Sequence, residues 1–404
     1  MKSFQASVDA IIPQVKQWRR HLHQYPEPSF EEFKTTEYII EQIKQLSELT
    51  YVRISPTGIV ARLTTSAPGP VIALRADIDA LRMTENSGVA FSSRHDGVMH
   101  ACGHDAHAAM LLGALHVLYQ HRQELQGSFV FIFQAAEEVF PGGARELVEK
   151  GVLEGVDAII GQHAGLQIPV GHIGTRPGYI TANSDVFEVT VVGRGGHAAS
   201  PQSCLDPIPV GAQIVTALQD IVARQLPAKD HAVLSVTQFN SGTAFNVIPD
   251  TAVIKGTVRT YSQEKRMLMK TAIGQIAKKY AEAFGLRIEY AYDHGYDNMY
   301  NTPEFTQALM DVADEMYGAG TAEVMEPIMG GEDFAYYLQK VPGCFYFLGV
   351  RNEQLDCVYP PHSTQFRIDE DSFAIGISVM LQAAVRFQAL LQKKLEGGQH
   401  ETAV

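Results

Sequence analysis

Apolar residues recur along this chain with two periods, and the places where one gives way to the other outline its elements. Near the start, Val8, Ile11, Val15, Trp18 and Leu22 step by three or four, the spacing of one helix face. Between residues 51 and 180 the apolar residues gather instead into short runs. "VIALRAD" (71–77), "SFVFIFQ" (128–134) and "DAIIGQH" (157–163) are rich in branched and aromatic residues, which predicts buried strands. The helical "AHAAMLLGALHVLYQHRQ" falls between the first two and "GGARELVEKGVL" between the last two. Strands alternating with helices predict an α/β domain with a mostly parallel sheet.

The middle of the chain changes order. Strand "DVFEVTVVG", helix "PVGAQIVTALQDIVARQ", strands "AVLSVTQFN" and "AVIKGTVRTY", helix "EKRMLMKTAIGQIAKKYAEAF" and strand "RIEYAYD" follow one another. That is β-α-β-β-α-β, a split-βαβ or ferredoxin-like pattern complete in itself. Afterwards come helix "PEFTQALMDVADEMYG", strand "GCFYFLGV" and the long helical "DSFAIGISVMLQAAVRFQALLQKKL"; only the tail "EGGQHETAV" reads as frayed. The expected organisation is a first domain made of 1–182 and 294–404, interrupted by an inserted domain over 183–293.

Composition narrows the function. With 404 residues, two or three domains are expected, and 46% hydrophobic with 19% charged residues is ordinary for a globular enzyme. A formal charge of −13 argues against nucleic acid and anionic lipid as partners. Four scattered cysteines (Cys102, Cys204, Cys344, Cys357) show no disulfide spacing, and the N-terminus lacks a secretory h-region, so a cytoplasmic protein is expected. No stretch reads as the eighteen or so apolar residues of a membrane span.

The chemistry collects at strand ends. "VIALRAD" ends in Asp77, "FVFIFQAAEE" in Glu137 and Glu138, "AIIGQH" in His163, and "HACGHDAH" precedes a helix. Ligands of open α/β sheets bind on that edge. Cys102 and His104 could be a buried thiol with a capping histidine, or a nucleophile with its base, since a helix N-terminus lowers a thiol pKa. They could also be metal ligands together with Glu138, His163 and His362, a set that suits zinc or a neighbouring divalent metal and is large enough for two ions. Glu137 would then be the general base toward water, and Asp77 a residue orienting a ligand. Asp79 is read as a helix cap in "DIDALRM". His100, His107, His116 and His121 are read as non-ligands, with His107 near enough to approach the site, and His21 and His23 are too distant in sequence to place.

Together these segments resemble the dinuclear metallo-aminoacylase and carboxypeptidase superfamily (M20 peptidase-like). They are most similar to its branch of N-acyl-amino-acid amidohydrolases, hippurate hydrolases and indoleacetyl-amino-acid hydrolases. "WRRHLHQYPEPSFEE", "RADIDAL", "MHACGHDAHAAMLLGA", "QAAEE", "GRGGHAASP", "FNVIPD", "GTVRT", "GGEDFAYY" and "PPHSTQF" carry the resemblance in order along nearly the whole length. It implies two divalent ions (Mn, Zn, Co or Ni) on Cys102, His104, Glu138, His163 and His362, with Glu137 as base and either Cys102 or His104 as the bridge. Where the wider superfamily has a metal-binding histidine, this chain has Arg75. The resemblance further implies an aminopeptidase-type catalytic domain and an inserted lid and dimerisation domain. His197 would polarise the scissile carbonyl from a partner subunit, and Asn246 and Arg259 would hold the substrate end, Arg259 by its carboxylate. The expected reaction is hydrolysis of an N-acyl amino acid to a carboxylic acid and a free amino acid, with a dipeptidase or aminocarboxypeptidase as the alternative.

Other readings are weaker. "GRGGHA" fits a dinucleotide fingerprint, but Pro201, Pro207 and Pro209 keep a regular helix from opening directly after it. A structural zinc would leave Glu137 without a role. A cysteine hydrolase would need none of Glu138, His163 and His362.

Overall fold

A computed structural model gives the fold of residues 4–401, with side chains described to Glu396. The chain divides into two compact units, one comprising the chain up to Ile180, Tyr300–Glu326 and from Asp333 on, the other Thr181–Met299 and Pro327–Glu332. Residues 327–332 thus join the second unit, although they lie outside 183–293. Tyr261 Oη donates to Pro327 O at 3.0 Å and Ala182 N to Ile328 O at 3.2 Å, which ties them there.

The larger unit holds an eight-stranded sheet. In chain order its first six strands are β1 (Thr50–Val52), β2 (Ile59–Thr64), β3 (Ala67–Asp77), β4 (Gln126–Gln134), β5 (Ala158–Pro169) and β6 (Ile173–Thr175). The spatial order is β1-β2-β4-β3-β5, then Gly343–Arg351, β6 and Ala322–Val324. The centre (β4, β3, β5, Gly343–Arg351) is parallel; β1 and β2, which the sequence pattern does not separate, add an antiparallel edge. Because the central strands are covered on both faces, "FVFIF" is buried at every position, as the continuous apolar run requires.

Helices α1 (Gln5–Gln24), α2 (Phe33–Ile43) and α3 (His104–Gln120) belong to this unit. Val8, Val15, Trp18 and Leu22 of α1 are buried, while α3 is buried all round and forms the centre of the core. The last helix, Ser372–Glu401, corrects the reading that nothing here is apolar enough for a span. Ser372–Glu396 passes by length and composition, with mean hydropathy 1.6. It is nevertheless a core helix. Phe373, Ile377, Met380, Leu381 and Phe387 are buried, and Gln388 Nε2 donates to Pro70 O and Gln126 O at 3.0 and 2.9 Å. Of the frayed tail, residues 402–404 lie outside the described residues.

The smaller unit carries a four-stranded antiparallel sheet ordered Ala232–Ser241, Thr251–Thr260, Asn183–Val192, Arg287–Asp293, with helices Pro207–Asp220 and Gln263–Ala283. Its own core gathers Val189, Val191, Ile214, Ile254 and Ile273. After "GRG" comes a short strand, Gly196–His197, paired with Val247–Ile248, and not a helix N-terminus, so the dinucleotide fingerprint has no pyrophosphate site.

Candidate metal centre

The site begins where β3 and β5 part. Their ladder ends at Arg75 opposite Gly161, while β5 continues to Pro169 beside Gly343–Arg351. His163 therefore lies within β5 and not at its end, two residues past the point where its neighbour leaves. That departure opens space for a side chain. Glu137 and Glu138 follow the end of β4 on a turn where Ala136 has φ +55. Gly103, at φ +93, reverses the chain between Cys102 and α3, and an added Cβ would stand 3.1 Å from that of Ala164.

These turns bring five of the expected ligands together. Donor atoms of Cys102, His104 and His163 lie within 4.8 Å of one another, as do those of Cys102, Glu138 and His362, and those of His104, Glu137 and Glu138. Cys102 Sγ is 3.3 Å from His163 Nε2, and Glu138 Oε1 is 3.2 Å from Nε2 of the half-exposed His362. His362, at φ +66, is anchored by its N–H to Ala101 O at 2.8 Å. Cys102 is the residue common to the first two groups.

Hydrogen bonds decide which ring nitrogens are available. His104 Nδ1 faces only acceptors, Asp79 Oδ1 at 3.0 Å and Asp79 O at 3.1 Å, so a proton stays there and Nε2 is the nitrogen a cation would meet; without one, burial is outweighed by Asp77 and Asp79, which hold the ring's pKa well up. His163 Nδ1 likewise faces Ala164 O at 2.9 Å. His104 Nε2 is buried without a hydrogen bond, with Asp77 Oδ2 at 3.7 Å and Glu138 Oε1 at 3.8 Å. An unpartnered buried imidazole nitrogen beside a thiol and carboxylates is the donor set a divalent metal fits. His107 is different: Nδ1 donates to Asp77 Oδ1 at 2.6 Å and Nε2 accepts from Ala164 N at 2.8 Å, so both nitrogens are spent. Burial holds its pKa down to about 4, in keeping with a neutral ring.

Electrostatics separate the thiol readings. Burial pushes the Cys102 thiol well up, and Glu138 adds to it, so without a cation this is no ready nucleophile. Burial also acts to raise Asp77, yet His104, Arg75 and His107 hold it well below the usual carboxylate range. Arg75 itself is fully buried and spends its guanidinium on Asp77 (2.7 Å), Asp333 (2.7 Å) and Gln134 (2.8 Å). Arg75 thus belongs to the carboxylate framework.

Asp79 corrects the helix-cap reading. Ala80 and Leu81 form bridges to Pro28 and Met99, so "DIDALRM" starts no helix. Asp79 instead binds His104 with one oxygen and Ser29 Oγ (2.7 Å) and Glu138 N (3.0 Å) with the other. The D-x-D spacing, which places Asp77 and Asp79 on one face of an extended segment, is the signal the sequence holds for this role. Asp333 and Asp105 are further framework residues that sequence reasoning misses, the latter holding His23 Nδ1 at 2.8 Å and Arg19 Nε at 2.7 Å. Asp79→Asn should weaken metal binding roughly 10–100-fold, the usual scale for such an orienting partner. Metal-buffered titration checks this, and unchanged affinity would remove Asp79 from the site.

Glu32, fully buried, accepts Ala136 N at 2.8 Å, and burial with the nearby Asp79 raises its pKa from about 4.5 to about 7. The unfolded chain therefore loses this proton first, so stability falls as pH rises from about 4.5 to about 7 and stays reduced above. Glu32→Gln keeps the acceptor, and is expected to raise the melting temperature at pH 8 but not at pH 4.

On the smaller unit, His197 and Asn246 are exposed on the paired ribbon, with Ala198 N donating to Asn246 O at 3.1 Å. Arg259 is on the strand Thr251–Thr260 between Val233 and Ser184, its Nη1 donating to Val258 O at 3.1 Å.

A family model described as Peptidase family M20/M25/M40 matches residues 73–386. The chain is 44% identical over 297 residues to an N-acyl-L-amino acid amidohydrolase of Geobacillus stearothermophilus, covering 74% of this chain and 80% of that protein. It is 38% identical to thermostable carboxypeptidase 1 of Saccharolobus solfataricus, covering 93% and 97%. A solved structure of a Bacillus subtilis dinuclear metal binding peptidase from the M20 family superimposes with TM-score 0.83 at 35% identity, over 94% of this chain and 99% of that one.

Proposed function

We propose that this chain, which belongs to peptidase family M20/M25/M40, is a dinuclear-metal amidohydrolase that cleaves N-acyl amino acids to a carboxylic acid and a free amino acid. The carrying observation is the overlap of the three donor groups, with Glu137 in the third. Cys102, His104, Glu138, His163 and His362 would hold two divalent ions, Cys102 being the donor common to the first two groups. Bound there, such ions polarise an amide carbonyl and make water more acidic. Glu137, nearly buried at 7% exposure, takes the proton of the attacking water on its carboxylate. It delivers that proton to the nitrogen as the C–N bond breaks, so amide and water become acid and amine. His197 donates to the carbonyl oxygen as charge develops, Asn246 hydrogen-bonds the substrate end and Arg259 pairs with its carboxylate. Asp77 keeps the Arg75 and His107 framework in register.

Four free cysteines support a cytoplasmic enzyme. The fully exposed Phe245 and the exposed Val247 and Ile208 of the smaller unit support a homodimer made through it. Hydrolysis of N-acetyl- and N-benzoyl-amino acids should be lost to a chelator and return with Mn, Co or Zn. Dipeptides assayed alongside test the peptidase alternative, and activity indifferent to chelation would overturn the proposal. If His197 serves a partner's site, mixing inactive His197→Ala with inactive Glu137→Gln should regain activity once tagged chains show exchange. Exchange without regained activity would place His197 within its own chain's reaction.

A further inference from the structure

The end of α1 and the face of α2 enclose a second pocket, of about 340 Å3, lined by His21, Tyr25, Lys34, Thr35, Tyr38 and His95. None of these residues contributes to the metal-donor groups. Its walls are flat and unsaturated. The His21 ring lies on that of Tyr38 with centroids 3.8 Å apart and planes 14° from parallel, Tyr25 is 4.9 Å from His21, and His95 stands edge-on to Tyr25 at 6.0 Å.

The polar groups there have capacity to spare. His95 Nδ1 is turned to Pro26 O at 2.8 Å, which puts the proton on Nδ1 and leaves Nε2 as an acceptor. Burial lowers the His21 pKa and raises that of Tyr38 to about 12, so both rings are neutral near pH 7. Lys34 is exposed and ion-pairs with no carboxylate among the described residues. It is the one cation lining the pocket.

We propose that this pocket binds a planar aromatic monocarboxylate of one or two rings, the ring against the His21–Tyr38 stack and the carboxylate at Lys34. The volume is at the small end of ligand sites, which suits one or two rings and not an extended chain. Flat aromatic walls favour a flat aromatic guest. A single ammonium, with Glu37 and Glu41 also on α2, disfavours a phosphate or dicarboxylate.

The probe is 5-fluoroindole-3-acetate, titrated into the metal-loaded full-length enzyme and followed by fluorine NMR. A bound resonance should persist in Glu138→Gln, which disables the metal centre and so separates the two sites. Its dissociation constant should rise roughly two- to fivefold in Lys34→Gln and about tenfold in Tyr38→Leu, with hydrolysis by Lys34→Gln unchanged. The uncharged 5-fluoroindole-3-acetamide should bind the wild type as weakly as the acid binds Lys34→Gln, and lose nothing more in that variant. A resonance that disappears in Glu138→Gln, or a dissociation constant unchanged by Lys34→Gln, would overturn the assignment; because Lys34 is exposed, its variant tests the idea even if Tyr38→Leu misfolds.

Discussion

Glu137→Gln is expected to lose roughly 10²–10⁴-fold in turnover while retaining a full complement of metal. Glu137 and Glu138 are consecutive residues on a turn opened by Ala136 at φ +55, so their side chains serve different partners. Glu138 stands against His362 and, through its backbone N–H, on Asp79. Glu137 shares a donor group with His104 and Glu138 but none with Cys102, His163 or His362, which sets it beside the expected ligands and outside the two Cys102 groups. Glutamine preserves shape and cannot accept the proton of the attacking water. Elemental analysis beside steady-state rates decides the matter: near-normal turnover at full occupancy would refute the base, and lost metal would make Glu137 a ligand.

The second large effect is expected from Cys102→Ser, with loss of bound metal and of activity together. Cys102 is common to two donor groups, so its loss touches both halves of the centre. Serine is a poor, largely protonated ligand where a thiolate is needed. Burial against Glu138 keeps the thiol protonated unless a cation offsets the charge, so the two losses are linked. A thiol nucleophile makes the opposite forecast, lost activity at unchanged metal content and a wild type indifferent to chelators. Metal analysis of the purified variant separates the two.

Much of the architecture is legible in the chain itself because burial imposes a period on sequence. A strand covered on both faces must be apolar throughout, as "FVFIF" is, and the β-α-β-β-α-β succession of the middle segment is local enough to read directly. Short or exposed elements leave no such trace. β1 is exposed at all three positions and presents no apolar stripe, and α2 is only 11 residues long, with two threonines among its five buried residues. Apolar runs also mark where burial holds and not where hydrogen bonding stops, which is why β5 runs on past His163 to Pro169.

By itself the sequence determined the residue types of the centre and their order: a thiol, imidazoles and adjacent carboxylates next to apolar runs, in blocks similar to one family. Only the tertiary structure decided their roles. Asp79 and His107 look alike in sequence, each a polar residue near a motif. The fold makes one the orienter of His104 and spends both nitrogens of the other on Asp77 and Ala164. Whether an imidazole can bind a metal depends on what its second nitrogen meets, and that partner lies 25 residues away for His104 and 30 for His107. Local sequence constrains backbone and burial over a few residues, whereas a proton's position on a ring is set by acceptors that only the closed sheet brings within 3 Å or so.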